Sequence, residues 1–256
     1  MKRPIRLPAL FLASVAVLAT AGSGHALAQG KSPAATPSAA AIEKIVRDYL
    51  KKNPEIVVEA IEAHKQKQLA LEEAAVKQAL AARKNELNND PYSAVGGNPN
   101  GDVTVVEFFD YQCGVCKRVH AVVAKMTERD PKIRRVYKEW PILGPGSVFA
   151  SRAAIASRKQ GDRKYIKFHN AMMESRKSLS AQTILDIAGS VGLDPAKLRK
   201  DMEAPEVTQT IQRNYALATA LKLNGTPSFV IGSQLLRGAR DFDTMMQMVR
   251  DARKKS

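Results

Sequence analysis

Cysteine and long apolar runs are both scarce in this chain. Its 256 residues include only two cysteines, Cys113 and Cys116, which excludes a scaffold of several disulfides and a zinc site built from four cysteines. The apolar run at residues 9–21 has 13 residues, whereas a membrane-spanning helix needs about 20. Because 45% of the residues are apolar and 25% are charged, the composition excludes a wholly disordered or collagen-like chain.

The first 28 residues have the features of a segment that is removed during export. A basic start at Lys2-Arg3 precedes the apolar run, and Ala26-Leu27-Ala28 matches an A-x-A cleavage site. We therefore predict a signal peptide at residues 1–28. An uncleaved anchor is the alternative, which the lack of a stop-transfer pattern disfavours. An exported protein meets an oxidising environment, where a pair of cysteines is suited to redox chemistry.

Positive charge is concentrated in the C-terminal part of the chain. The formal net charge is +15, and residues 103–256 contribute 27 basic and 15 acidic side chains, or +12. The basic residues are scattered and are not gathered with aromatic residues into a stripe, so we expect no nucleic-acid partner. The pattern predicts a solvated basic surface with a weak attraction for anionic client proteins or membrane surfaces.

The N-terminal part of the mature chain is predicted to be helical. After a flexible linker at residues 29–41, which is rich in Ala, Ser, Thr and Pro, residues 42–88 contain much Ala, Glu, Lys and Gln and no Gly. Asn53-Pro54 interrupts this composition, because Asn caps helices and Pro fits the first helical turn. We predict a short helix near residues 42–51 and a long one near residues 54–88.

The long predicted helix carries a weak coiled-coil pattern, with polar residues at three of eight seam positions. An isolated helix of about 35 residues spans roughly 50 Å and has little to hold it in water. We therefore predict that residues 42–88 are an oligomerisation stalk; the alternative is a helix that lies on its own globular domain. The seam positions are Val57, Ile61, His64, Gln68, Leu71, Ala75, Gln78 and Ala82, and the short helix adds an apolar face of Ile42, Ile45, Val46 and Tyr49.

Residues 89–256 have a mixed α/β pattern. A β-branched and aromatic run predicts a buried strand, and a C-x-x-C motif and a helix follow it. The order of elements predicts the α/β class, a thioredoxin fold with an all-helical insertion that is preceded by the helical stalk. In chain order the predicted elements are a strand at 103–109, the motif at 113–116, a helix to about 128, a strand at 133–140, the insertion at about 145–223, a hairpin at 229–236 and a helix from Asp241 to about Arg253.

The position of the two cysteines points to thiol–disulfide exchange. A cysteine at a helix N-terminus faces unpaired amide N–H groups and the positive end of the helix dipole, which favour the thiolate. Cys113 is therefore the predicted nucleophile. Cys116 lies one helical turn further on and is placed to attack a mixed disulfide and release the product. We expect no cofactor beyond the redox-active disulfide between Cys113 and Cys116.

The motif residues resemble a known family. The run Glu107-Phe108-Phe109-Asp110-Tyr111-Gln112-Cys113-Gly114-Val115-Cys116, together with Gly225-Thr226-Pro227, is similar to the DsbA-like bacterial thiol–disulfide oxidoreductases of the periplasm. The resemblance covers about residues 92–253. The N-terminal helices and the Gly114-Val115 dipeptide further resemble the branch called suppressor of copper sensitivity protein C, in which trimeric disulfide isomerases are known.

The resemblance implies roles for further residues. Thr226 and Pro227 would form a cis-proline loop that lies against the cysteines and holds the client backbone, and Pro227 opens a strand, where the loss of an N–H group costs least. Glu107 matches the buried acid of the family. It shares a strand face with apolar residues, so we expect it to hold a proton and relay it for Cys116. A solvated glutamate at the strand edge is the alternative.

Residues of the same motif also bear on the direction of electron flow. Gly114-Val115 lacks the Pro-His pair of the oxidase DsbA, and Thr226 is similar to the residue that isomerases and reductases carry before the cis-proline. The resemblance therefore implies an isomerase or reductase, with a DsbA-like oxidase as the alternative. It also implies a periplasmic location, exported cysteine-containing clients, a membrane redox partner of unknown identity, and a homo-oligomer, with a trimer favoured.

Two other classes of function are compatible with a cysteine pair. Cys113, Cys116 and His120 have a C-x2-C-x3-H spacing, so two thiolates and an imidazole can hold a soft metal such as Cu(I). The set is one ligand short of a closed zinc site, and the competing interpretation is that His120 is an exposed helix residue. An inert structural disulfide is the third class. It is disfavoured because a bond that encloses two residues restricts the unfolded chain very little.

Overall fold

The computed structural model describes residues 37–254, which form two units. One unit ends at Ala60 and the other begins at Ile61. The predicted signal peptide at residues 1–28 and the predicted linker up to residue 36 lie outside the described residues. Within residues 37–254, the model contains no helix whose length and apolar content would allow it to cross a membrane.

The first unit contains helix α1, Ala39–Lys52, and the start of helix α2, Glu55–Ala82. Helix α1 begins three residues earlier than predicted because the Ser38 side chain caps it by accepting a hydrogen bond from the Ala41 amide at 3.3 Å. It ends at Asn53, whose amide donates to the Tyr49 carbonyl at 2.9 Å. Its apolar side chains are exposed within this unit: Ile42, Ile45, Val46 and Tyr49.

In the second unit, the C-terminal part of α2 packs on the globular body. Val76 and Leu80 are buried there, whereas residues 61–71 are all exposed. The predicted helix at 54–88 is broken near Arg83, and a separate helix α3, Lys84–Asn88, buries Leu87 in the same apolar cluster. Val76, Leu80 and Leu87 bury their side chains in the thioredoxin-like body. The helical region therefore joins that body well before residue 88, where the domain boundary was predicted.

A five-stranded sheet forms the centre of the second unit, in the order β1-β3-β2-β4-β5. Strand β2 is central; it pairs in parallel with β3 and antiparallel with β4. All of its residues except Thr104 are buried, which agrees with its nearly continuous apolar sequence. The strands are β1 Val95–Gly97, β2 Val103–Phe109, β3 Ile133–Glu139, β4 Ser228–Ile231 and β5 Gln234–Arg237.

Helices cover both faces of this sheet. Helix α4, Gly114–Arg129, and helix α10, Phe242–Lys254, pack against Val103 and Val105 on one face. The insertion between β3 and β4 is all-helical, as predicted, and the thioredoxin fold is confirmed. The α-helices of the insertion are α5 Pro145–Ser157, α6 Asp162–Glu174, α7 Ala181–Ser190, α8 Pro195–Asp201 and α9 Pro205–Ala220.

The packing of α2 leads to a prediction about stability. Leu80 is 8% exposed and Leu69, on the same helix, is 44% exposed. We expect Leu80→Ala to lower the free energy of unfolding by about 2–4 kcal/mol because it leaves a cavity in a closed cluster. The matched change Leu69→Ala is expected to cost less than about 0.5 kcal/mol. Urea unfolding of both variants measures the difference, and equal losses would contradict the packing of α2 on this body.

Candidate active site

Cys113 occupies the N-cap of helix α4, directly after the central strand. The backbone amide of Cys116 donates to the Cys113 Sγ at 3.3 Å, which is the bond that an N-cap side chain accepts at a helix start. Both cysteines are free thiols in the structure. Cys113 is 7% exposed and Cys116 is 0% exposed, while Gly114 and Val115 between them are exposed. Cys113 is therefore the cysteine nearer to the surface.

Asp110 holds the loop that leads to Cys113. One oxygen of its buried carboxylate accepts from the Gln112 amide at 2.7 Å, and the other accepts from the amides of Ile142 and Leu143 at 2.8 and 3.0 Å. The Asp110 carbonyl also accepts from the Cys113 amide at 3.1 Å. Asp110 was named above only within the run that resembles the DsbA-like family, and no role was predicted for it. The available sign was a carboxylate at the expected end of a buried strand, three residues before the nucleophile.

The predicted proline loop lies against the nucleophile. The peptide bond between Thr226 and Pro227 is cis, and Pro227 directly precedes β4, both as predicted. The Cys113 Sγ lies 3.3 Å from the Thr226 carbonyl oxygen, to which the protonated thiol donates. The structure thus brings the Thr226-Pro227 pair to the cysteine pair, although the two pairs are 110 or more positions apart along the chain.

The two thiols have opposite acidities. The Cys116 side chain, the Thr226 side chain and the amides of Cys116 and Val115 donate to the Cys113 sulfur and lower its pKa to about 5, although burial opposes them. A shift of this size favours the thiolate by about 5 kcal/mol. The pKa of Cys116 is raised far above its usual range, because the thiol donates to Cys113 and is buried. At neutral pH the pair therefore holds one thiolate and one thiol.

Glu107 is buried beneath the site, but it is not an isolated acid. Its Oε2 accepts a hydrogen bond from Arg135 on the neighbouring strand β3 at 2.6 Å, and both side chains are almost fully buried. The alternative of a solvated edge residue is wrong. The ion pair with Arg135 was not predicted from the sequence. Among residues 37–254, the Oε1 atom has no hydrogen-bond partner. A role of Glu107 in proton transfer stays a prediction.

Sequence reasoning missed a buried polar layer around this ion pair. His169 on α6 contacts the Tyr111 hydroxyl through Nδ1 at 3.0 Å and Arg135 through Nε2 at 3.5 Å. Burial and the charge of Arg135 lower the pKa of His169 well below its usual range, so its ring is neutral. His169 is thus a buried core residue. Its two hydrogen-bond partners lie on the turn after β2 and on β3, and only the fold brings these segments to α6.

His120 is buried and is not the exposed helix residue expected in the competing interpretation. Burial and Arg135 lower the pKa of His120 to about 4, and its Nε2 lies 3.7 Å from the Glu174 carboxylate. In residues 37–254, the model gathers no group of three or more His, Cys, Asp or Glu side chains that could hold a metal ion. The predicted set of Cys113, Cys116 and His120 is therefore not assembled here.

Two protein-family models match this chain. The family model described as DSBA-like thioredoxin domain matches residues 104–250. The chain belongs to the DsbA-like thioredoxin family. The model of the copper resistance protein ScsC N-terminal domain matches residues 39–70, which assigns the chain to the ScsC branch of this family of thiol–disulfide oxidoreductases.

Solved structures agree with this assignment. A thioredoxin-like oxidoreductase from Silicibacter pomeroyi DSS-3 is 50% identical and covers 67% of this chain and 98% of its own, with a TM-score of 0.65. A linker-deletion mutant of Proteus mirabilis ScsC is 30% identical over 88% of this chain and 100% of its own, with a TM-score of 0.67.

Curated relatives match over different shares of their length. A probable disulfide bond formation protein D from Bacillus anthracis is 23% identical over 60% of this chain and 75% of its own. The chain spans about a quarter of the length of several Na(+)/H(+) antiporters NhaA, at 23–25% identity. These long relatives therefore share one region with this chain, and their transport activity is a property of those proteins.

The unequal acidities predict the pH dependence of alkylation. We expect the rate at which iodoacetamide modifies reduced Cys113 to have a midpoint near pH 5, and to fall tenfold for each pH unit below it, because only the thiolate reacts. In Cys116→Ala the midpoint is expected to rise, since the largest contribution to the thiolate is lost. Mass spectrometry of the modified thiols measures both. Equal rates for Cys113 and Cys116 at pH 6 would contradict the assignment.

Proposed function

We propose that this protein is a periplasmic disulfide isomerase or reductase that acts on exported proteins through its Cys113-Gly114-Val115-Cys116 site. The observation that carries the proposal is the placement of a stabilised Cys113 thiolate beside the cis-proline loop, with a protonated Cys116 behind it. A nucleophile, a resolving thiol and a loop able to hold client backbone are the components that thiol–disulfide exchange requires.

The proposed reaction begins with attack of the Cys113 thiolate on a client disulfide. A bond forms between Cys113 and one client sulfur, the client disulfide breaks, and the second client sulfur leaves as a thiolate. In isomerisation, another client thiolate attacks the mixed disulfide, so a new client disulfide forms and Cys113 is regenerated with no net electron transfer. In reduction, Cys116 loses its proton and attacks the Cys113 sulfur: the Cys113–Cys116 disulfide forms, the mixed disulfide breaks, and the client sulfur leaves as a thiolate, so the client is reduced and the enzyme is oxidised.

Support for an isomerase over an oxidase comes from the residues around the thiolate. The exposed dipeptide Gly114-Val115 provides no polar side chain, so the stabilising donors are backbone amides, the Cys116 thiol and Thr226.

A DsbA-like oxidase is the second candidate, and the low pKa of Cys113 favours it because a stable thiolate makes the disulfide a stronger oxidant. Acid trapping and thiol alkylation in cells separate the two: a reduced pair supports the isomerase or reductase, and an oxidised pair supports the oxidase.

The remaining parts of the proposal concern location and assembly. The predicted signal peptide and the ScsC and periplasmic thioredoxin-like neighbours support export to the periplasm, where a membrane redox partner would keep the pair in its working state. The exposed apolar face of α1 supports self-association through the N-terminal unit, with a trimer favoured by family resemblance. Several sites on one assembly raise the local concentration of thiolate at a bound client.

The roles of the two cysteines predict different products from serine variants. We expect Cys116→Ser to accumulate mixed disulfides with denatured clients that contain disulfides, because the Cys113 thiolate still breaks a client disulfide and the resolving thiol is lost. Cys113→Ser is expected to form none, since Cys116 is buried and protonated. Non-reducing gels after acid quenching show the adducts. Equal trapping by both variants would contradict the proposed roles.

The exposed face of α1 predicts an effect of charge on assembly. We expect the full-length protein to be an oligomer, and Ile45→Glu/Tyr49→Glu to yield monomers, because two carboxylates would have to be buried at the interface. The control Arg47→Glu/Lys51→Glu has the same spacing on the same helix and changes residues outside the apolar face. It should remain oligomeric. Light scattering measures the mass of each protein.

Activity separates assembly from chemistry in the same variants. The monomeric variant should reduce insulin at the normal rate, because its cysteines and Pro227 are unchanged, but should lose most refolding of scrambled ribonuclease. Point substitutions are preferable to deletion of residues 29–88, since that deletion would remove Val76, Leu80 and Leu87 from the core. A monomeric wild-type protein would contradict the proposed assembly.

A further inference from the structure

A basic groove runs beside the active site, between the first turns of α4 and the segment that follows α6. We define the basic groove by four cations, Lys117, Arg118, Arg176 and Lys177, above a base formed by Met173 and Leu179. Met173 and Leu179 are 2% and 3% exposed. Because the apolar base is closed by packing, the groove presents charge to solvent and offers no deep apolar pocket.

The charge of the groove is not neutralised by neighbouring carboxylates. Within residues 37–254, none of the four cations forms an ion pair. The Lys117 Nζ donates to the Ser175 carbonyl at 2.9 Å, which joins α4 to the far wall of the groove. One acid, Glu174, also lines the groove, and its carboxylate faces His120 at 3.7 Å. Four cations and one carboxylate leave a net charge of +3.

The groove extends to the residues that flank the reactive cysteine. Gln112 and Gly114, the two neighbours of Cys113 in the sequence, are among its lining residues. The Arg118 guanidinium approaches to 3.6 Å of the point where a Cβ atom on Gly114 would lie. When a client sulfur is joined to Cys113, the client residues next to that sulfur therefore lie at the mouth of the groove.

The far wall of the groove is ordered by a local turn. The Lys177 amide donates to the Ser175 hydroxyl at 3.2 Å, and that hydroxyl donates to the Lys177 carbonyl at 3.3 Å. These bonds hold the exposed Arg176 and Lys177 next to the buried Leu179. Two cations on α4 and two on this turn line the basic groove, so their electric fields add where a bound polypeptide would pass.

We propose that the basic groove binds an acidic segment of the client polypeptide that flanks the cysteine attacked by Cys113. This inference rests on the proposed thiol-exchange function and names a class of client for it. Complementary charge raises association rates by 10–10³-fold and is screened by salt. Disulfides flanked by Asp or Glu would thus be attacked faster than those flanked by Lys, for reasons independent of the cysteine chemistry.

The test compares two peptides with the reduced, full-length protein. The peptides are identical except that the residues flanking their one cysteine are Asp or Lys, and the cysteine carries thionitrobenzoate as a mixed disulfide. Released thionitrobenzoate is followed by its absorbance, which yields a second-order rate constant for each peptide. For each protein, the rate constant of the Asp peptide is divided by that of the Lys peptide. The quotient is this ratio in the wild type divided by the same ratio in a variant. Intrinsic reactivity of the peptides cancels in this quotient.

We expect Arg176→Glu/Lys177→Glu to give a quotient of about 10 or more at low salt, and Arg176→Gln/Lys177→Gln to give an intermediate value. The control Arg199→Glu/Lys200→Glu changes exposed cations of α8 that do not line the groove. Its quotient should stay near 1. The effect should disappear in about 0.5 M salt, because screening then acts over a few Å. The pKa of Cys113 is measured in each variant, so that a change in the thiolate is not mistaken for a change in binding.

Different failures of this test have different meanings. If the groove variants and the control give the same quotient, the acidic-client proposal is overturned while thiol exchange stands. If the protein reacts with neither peptide, the proposed function itself fails. Glutathione carrying the same leaving group distinguishes the source of the negative charge. An equal charge-reversal effect on glutathione would assign the groove to small anionic disulfides and overturn the polypeptide proposal.

Discussion

The negative charge on the Cys113 sulfur is the feature on which the other parts of the site depend. It is held by short-range donors: the Cys116 thiol, the Thr226 side chain and the first amides of α4. The donors come from two elements, helix α4 and the proline loop, so the helix must begin at Cys113 and the proline loop must lie within hydrogen-bond distance of it. The buried strand β2 fixes the start of the helix, and its pairing with β4 fixes the loop.

A buried ionic layer supports this arrangement from below. Glu107 and Arg135 lie on paired central strands, and two neutral histidines and several tyrosines surround them. A buried ion pair is weak evidence for stability, because desolvation offsets most of the attraction. Removing one partner would leave an uncompensated charge beneath the cysteines. The layer therefore constrains substitutions at Arg135 as strongly as at Glu107, although only Glu107 belongs to the family motif.

The sequence predicted best those features that depend on local pattern. The central strand, the helix start at Cys113, the hairpin and the proline before β4 each arise from a few neighbouring residues, and the structure confirms them. The partners of Glu107 and His169 could not be predicted, because they depend on the pairing of β3 with β2 and on the packing of α6 against these strands. The α2 pattern was misjudged for a related reason. The seam with 4,3 spacing omits Val76 and Leu80, and burial of these residues depends on a sheet that lies further along the chain.

Asp110 connects two parts of the molecule that are otherwise separate in sequence. One carboxylate oxygen binds the amide before Cys113, and the other binds two amides at the entrance to the helical insertion. The reactive turn and the base of the insertion are thus mechanically coupled through a single side chain. A displacement of residues 142–143 would therefore be transmitted to the loop that carries the nucleophile.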